Sequence, residues 1–235
     1  MSMINVSKSI AIVRTLLTPF PSTSISQGNI KVEVGNCFGV QMGVAEELAE
    51  MNGNRTFFAL SPAAELQVVV ADTINYIVKK LNHECIYISL NKPAELIEEN
   101  LKEKGIPAER VRIIDCATGR ITQISRKRNV ARVSRPYNLT DISIRIALFA
   151  RDIKNSGFVL VDSLDILRMY TRPEVMLQFI HSLASLPVKY GLKLIVFGSV
   201  ETFRTEMGSF TQYFDKVSQV SPVELRKVRP VKLAT

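Results

Sequence analysis

A carboxylate at the end of an apolar strand can hold a metal ion against phosphates, and one stretch of this sequence has that form. Phe158-Val-Leu-Val161 runs straight into Asp162 and Ser163, with Gly157 just before it. A short continuous apolar run of this kind, lying between helical patterns, reads as a strand buried on both faces of a parallel sheet. Its end then lies at the carboxyl edge, where open α/β sheets bind ligands. Asp162 in that place either orients a metal ion or simply caps the strand and starts a turn. The choice depends on whether the rest of a phosphate site is present.

The other residues with chemical potential are scattered. Ser61-Pro-Ala-Ala-Glu-Leu-Gln67 follows an apolar run, and Lys92 follows another. Arg120, Arg126, Lys127, Arg128, Arg132 and Arg135 form a basic run with no acid between Asp115 and Asp141, and Arg226, Lys227, Arg229 and Lys232 form a second basic group. The run is either a solvated loop or a patch for a partner, for nucleic-acid phosphates or for a small anion. Only Tyr137 lies close by, so a base-stacking platform is not supported. Gly35-Asn-Cys-Phe-Gly39 lacks the lysine and hydroxyl of a phosphate loop. His83 and His181 have no cysteine or carboxylate at ligand spacing, so no metal site is expected. Neither Ser61 nor Ser163 has the flanking glycines of a hydrolase elbow.

Composition sets the limits. The chain has 235 residues, 46% of them hydrophobic, with a net charge of +8, which suits a globular domain with an acidic partner or nucleic acid as candidates. No apolar run reaches the ~20 residues that cross a bilayer, and Arg14 interrupts the apolar patch near the N-terminus, so no membrane association and a cytoplasmic location are expected. Cys37, Cys85 and Cys116 are widely spaced, and because Cys85 and Cys116 fall in expected buried strands, small core residues are the better reading over metal or redox roles.

These residues must be positioned by regular elements. The first 54 residues read as an N-terminal β–α extension, with a strand over Ile30–Val34 and a helix over Phe38–Met51 that puts Val40, Val44, Leu48 and Met51 on one face. From Arg55 onward, residues 55–235 read as one core domain. Strands are expected at Thr56–Leu60, Cys85–Leu90, Val111–Asp115, Phe158–Asp162 and Leu192–Phe197. Helices are expected at Ala63–Leu81, capped by Ser61 with Pro62 at its first position, at Pro93–Lys104, from the Asn138 cap to Lys154, and at Pro173–Tyr190. Lys216–Val220 follows, then a C-terminal strand near Lys227–Leu233 that admits antiparallel pairing. Leu167, Met169 and Tyr170 are expected to pack on the next helix. Alternating strands and helices imply a mostly parallel α/β sheet covered by helices on both faces.

The order Ile86-Tyr-Ile-Ser89, Pro93-Ala-Glu-Leu-Ile-Glu98, Arg112-Ile-Ile-Asp115, Asn138-Leu-Thr-Asp141 and Val161-Asp-Ser-Leu164 resembles the RecA/KaiC-like branch of P-loop ATPases, in particular the archaeal KaiC-like proteins that have lost their phosphate loop. The resemblance covers roughly residues 55–220. It implies a RecA-like three-layer sandwich in which Asp162 stands at the magnesium-orienting position. The matching loop, Ser61–Gln67, has no glycine and no lysine, and Glu65 brings a carboxylate to a helix start, where it competes with phosphate for the same dipole. Where active members place a catalytic glutamate, this chain has Asn91 and Lys92, neither of them a carboxylate base. The resemblance therefore implies a degenerate nucleotide site built from Ser61, Glu65, Lys92, Asp162 and Ser163, with no catalytic residue, no metal and no cofactor. ATP with magnesium is allowed by the fold but not supported by these residues.

The expected function is a non-hydrolysing regulatory or protein-interaction module, with a protein partner or self-association. The alternatives are a nucleic-acid-associated protein using residues 120–135 and the basic C-terminus, and an ATPase completed by a partner subunit.

Overall fold

The computed structural model describes residues 42–49, 51, 55–118, 128–134, 138–153, 157–203 and 211–222. Its strands are β1 (Met42–Gly43), β2 (Thr56–Ser61), β3 (Cys85–Ser89), β4 (Val111–Asp115), β5 (Val130–Arg132), β6 (Phe158–Asp162), β7 (Lys193–Ser199) and β8 (Lys216–Ser221). They form one eight-stranded sheet in the order β1-β8-β2-β7-β6-β3-β4-β5. Every ladder among them is parallel, including those of β8 with β1 and β2. The antiparallel C-terminal pairing expected from sequence is therefore corrected, because the last described strand runs with the sheet. Lys227–Leu233 and Ile30–Val34 lie outside the described residues.

The inner strands β2, β3, β6 and β7 are mostly apolar because both faces are covered. Phe58, Leu60, Ile86, Ile88, Val159, Val161, Leu194 and Val196 face one core. Phe57, Ala59, Cys85, Tyr87, Phe158, Leu160, Ile195 and Phe197 alternate with them and face the other. Helices α1 (Val44–Ala49), α2 (Leu66–Asn75) and α3 (Ala94–Glu103) cover the second face. The opposite face carries α4 (Leu139–Asp152), α5 (Leu164–Tyr170), α6 (Pro173–Ala184), α7 (Leu186–Tyr190) and α8 (Val200–Phe203). This division follows from chain direction. The chain steps outward from β2 to β3 to β4 and then turns back through β6 and β7, and right-handed crossovers put outward and returning helices on opposite faces.

Local sequence explains most boundaries. Met176, Phe179, Ile180 and Leu183 give α6 its buried stripe, and the Asn138 side chain caps α4 by accepting from the Asp141 amide. Gly105, at φ 59°, ends α3. The helix expected over 173–190 is divided at Ser185, with Pro187 in the first turn of α7. Leu167 is buried as expected, whereas Met169 and Tyr170 are 74% and 56% exposed. Val44, Leu48 and Met51 are buried, and Glu47 forms an ion pair with Lys216 at 2.5 Å that fastens α1 to β8.

Gly198 has the least room for a side chain of the glycines whose surroundings are described. A Cβ there would come within 2.7 Å of Phe203 Cδ2 and 3.1 Å of Phe58 Cε2. Both rings are fully buried, at 5.5 Å from each other, and Phe214 stacks on Phe58 at 5.2 Å. Gly198→Ala should cost about 1–3 kcal/mol through overpacking, seen as a lower urea midpoint with unchanged slope.

Candidate functional site

The carboxyl edge of the sheet is where the strands turn polar. β2, β3, β4, β6, β7 and β8 end in Ser61, Ser89, Asp115, Asp162, Ser199 and Ser221, all buried. Parallel register aligns these ends, since Ser89 pairs with both Asp115 and Asp162, and Ser61 pairs with Ser199. Ligand-binding chemistry in such sheets is concentrated along this edge.

Asp162 is fully buried and its carboxylate is engaged from two sides. The Tyr87 hydroxyl donates to Oδ2 at 2.5 Å, and Gln67 Nε2 donates to Oδ1 at 3.1 Å. Tyr87 stands two residues before Ser89 on the same strand face, and Gln67 projects from the first turn of α2. Burial pushes the Asp162 carboxyl above its ordinary range, against the opposing hydrogen bonds of Tyr87 and Gln67 and the charge of Lys92. Burial and the Asp162 charge likewise raise the Tyr87 phenol well above its usual value. Lys92 is half-buried beyond the turn after β3, where the Ser89 hydroxyl donates to its carbonyl and accepts from its amide.

Three residues further on, Asp165 has a different environment. Burial works against its charge, but hydrogen bonds from Ser163, Ser199 and Thr202 and from the Ser199 amide outweigh it and lower its pKa. The Ser163 hydroxyl donates at 2.7 Å and the Ser199 amide at 2.9 Å. Ser163 thus caps α5 and holds Asp165 rather than facing Asp162.

The turn from β2 into α2 departs from the sequence expectation. Ser61 is the last residue of β2, and its hydroxyl is buried with no hydrogen-bond partner among the described residues. It does not cap the helix, which starts at Leu66 rather than Ala63. The Pro62 carbonyl accepts from the Glu65 and Leu66 amides at 2.9 and 3.0 Å, which tightens the turn and delays the helix. The carboxylate that accepts from an amide here is that of Glu201 in α8, 3.1 Å from the Ala63 nitrogen. Pro62 has no N–H to offer. The donors of Ala63, Glu65 and Leu66 are thus engaged within the chain.

Of the basic run, Arg128 is exposed and Arg132 is paired with Glu95 and, at 3.8 Å, with Asp115. Arg120, Arg126, Lys127 and Arg135 lie outside the described residues. Asp115 itself is a structural hub, accepting from the Ala94, Ala117 and Thr118 amides and the Thr118 hydroxyl. Among the described residues no group of histidine, cysteine and carboxylate side chains is placed to hold a metal ion. Cys85 and Cys116 are buried, and burial with the Glu84 charge pushes the Cys85 thiol up to about 12. Between α2 and α3 runs a cleft of about 240 Å³.

Sequence reasoning missed Gln67, Tyr87 and Glu201. Tyr87 was within reach, because it and Asp162 belong to neighbouring strands and project toward the same face. Glu201 is separated from Ala63 by 138 residues, and nothing local marks it.

No protein-family model matches this sequence, and no curated protein matches it. Among solved structures, a KaiC-like protein of the hyperthermophilic archaeon Pyrococcus horikoshii superposes with a TM-score of 0.50 at 11% identity, covering 69% of each chain. An uncharacterised protein of the same organism, solved in complex with an unknown peptide, gives 0.54 at 16% identity over 74% of this chain and 82% of that one. The chain therefore has a RecA/KaiC-like α/β fold. No helix among the described residues is long and apolar enough to cross a membrane.

Proposed function

We propose that this chain is a RecA/KaiC-like domain with a degenerate phosphate loop, acting in the cytoplasm as a non-hydrolysing regulatory or protein-interaction module without bound ATP or magnesium. The observation that carries this reading is the closed turn after β2. Phosphate binding at a strand-to-helix junction needs backbone N–H groups turned toward the ligand and a lysine on the outer phosphates. Here Ala63 donates to Glu201, Glu65 and Leu66 donate to Pro62, and Gln67 lies against Asp162. A phosphate would have to displace the Glu201 carboxylate from the Ala63 amide against the repulsion between the two anions. Asn91 and Lys92 supply no carboxylate to orient water. That the same fold carries a bound peptide in one archaeal structure fits an interaction role. Arg132, engaged by Glu95 and Asp115, is not available as a nucleic-acid contact.

Calorimetric titration with ATP and magnesium, together with a steady-state turnover assay, tests the reading. No saturable heat and no phosphate release are expected. Micromolar binding with sustained hydrolysis would overturn it.

A further inference from the structure

We propose that the cleft between α2 and α3 docks a short segment of a partner protein in which one large apolar side chain is flanked by acidic residues. This rests on the interaction-module reading and says where that module is engaged.

The cleft is walled by Val70, Ala71, Ile74, Ile97, Leu101 and Ile106, with Tyr87 and Gln67 at one end. Its volume of about 240 Å³ lies below the roughly 300–1,000 Å³ of sites for larger organic ligands, and suits one bulky side chain. Val68, 42% exposed, extends the apolar surface to the mouth.

Charge selects the flanks. Lys92 and Lys104 both line the cleft, and among the described residues the ammonium group of neither makes a hydrogen bond or an ion pair. The carboxylate near Lys92, that of Asp162, already accepts from Tyr87 and Gln67 and does not take up the ammonium's donors. Glu99 and Glu103 are exposed on α3 but do not line the cleft. The lysines stand beyond opposite ends of a ten-residue helix, about 15 Å long at 1.5 Å per residue. An extended chain covers that span in about four or five residues, so acidic residues on both sides of one apolar anchor can meet both cations. Gln67 donates its N–H to Asp162, which leaves its carbonyl to accept from a peptide amide.

The test uses the full chain and a fluorescein-labelled pentapeptide with a central phenylalanine between pairs of acidic residues, read by fluorescence anisotropy. Saturable binding is expected, weakened at least about tenfold when serine replaces the phenylalanine. Ala71→Arg, which fills the cleft from a partly exposed position, should abolish binding while leaving the circular dichroism spectrum unchanged. Lys92→Glu and Lys104→Glu should each weaken it by about fivefold and flatten its salt dependence. Equal binding of the serine peptide, or equal binding by wild type and Ala71→Arg, overturns the proposal. So does self-association that Ala71→Arg abolishes, because the occupant would then be a second copy of the chain. Absence of peptide binding without ATP turnover removes this cleft as the docking site and leaves the module reading standing; ATP turnover removes the module reading itself.

Discussion

Asp115→Ala is expected to lower stability by about 3–5 kcal/mol, the largest loss of any single polar substitution considered for this protein. The carboxylate is fully buried and accepts from the Ala94 amide at 3.0 Å, the Ala117 amide at 2.9 Å, and both the amide and the hydroxyl of Thr118, at 3.1 and 2.6 Å. It therefore ties together the start of α3, the end of β4 and the segment after β4. Alanine would leave buried donors unsatisfied and remove the carboxylate 3.8 Å from the Arg132 Nε, leaving Glu95 to pair with that guanidinium. Urea unfolding would show the loss as a reduced midpoint. A change below about 1 kcal/mol would mean that water replaces the carboxylate, contrary to its burial. Asp115→Asn keeps an acceptor oxygen and should lose distinctly less.

The second large effect separates two carboxylates three residues apart. Asp165→Ala should cost about 2–3 kcal/mol, because charge-assisted hydrogen bonds from Ser163 and Ser199 are lost together. Asp162→Asn should match or exceed wild-type stability at neutral pH. Its Oδ1 can accept from Tyr87 or Gln67, and the cost of burying charge disappears. The pH dependences have opposite sign. Asp165 has a lowered folded pKa, so its contribution is present above the ordinary carboxylate value of 3.8 and is lost as pH falls through the folded value. Asp162 has a raised one, so its contribution is fully present below 3.8 and is lost as pH rises through the folded value. The advantage of Asp162→Asn should accordingly shrink as pH is lowered through that window. Midpoints measured between pH 3 and pH 8 would show it, and an Asp162→Asn protein much weaker than wild type at pH 7 would sink the assignment.

The fold was legible wherever burial made the sequence repetitive. β4 and β6 appear at the expected residues, and β2, β3 and β7 within one or two residues of their ends, because a strand covered on both faces is apolar at most positions before its carboxyl end, with Arg112 of β4 the interruption. β5 was not legible. Only Val130 of its three residues is buried, and it sits in a basic run that reads as a loop. The site was half legible. Asp162 and Lys92 stand at the carboxyl edge as the strand pattern requires, but the helix cap assigned to Ser61 failed. A serine before proline is a good cap only if the helix starts there, and here the strand extends through it while the Pro62 carbonyl closes a tight turn. What engages the Ala63 amide is set by the path of the chain after β7, which no local pattern encodes.

The strand order has a consequence for synthesis on the ribosome. β2 is central, between β7 and β8, yet it is made long before either of them. While residues 85–162 can assemble β3, β4 and β6 among themselves, the Phe57 and Phe58 side chains of the nascent β2 have no neighbouring strand until Lys193–Ser199 emerges. Until then the chain displays a sticky, unpaired central strand, and its dependence on holding chaperones should be greater than its finished sheet suggests.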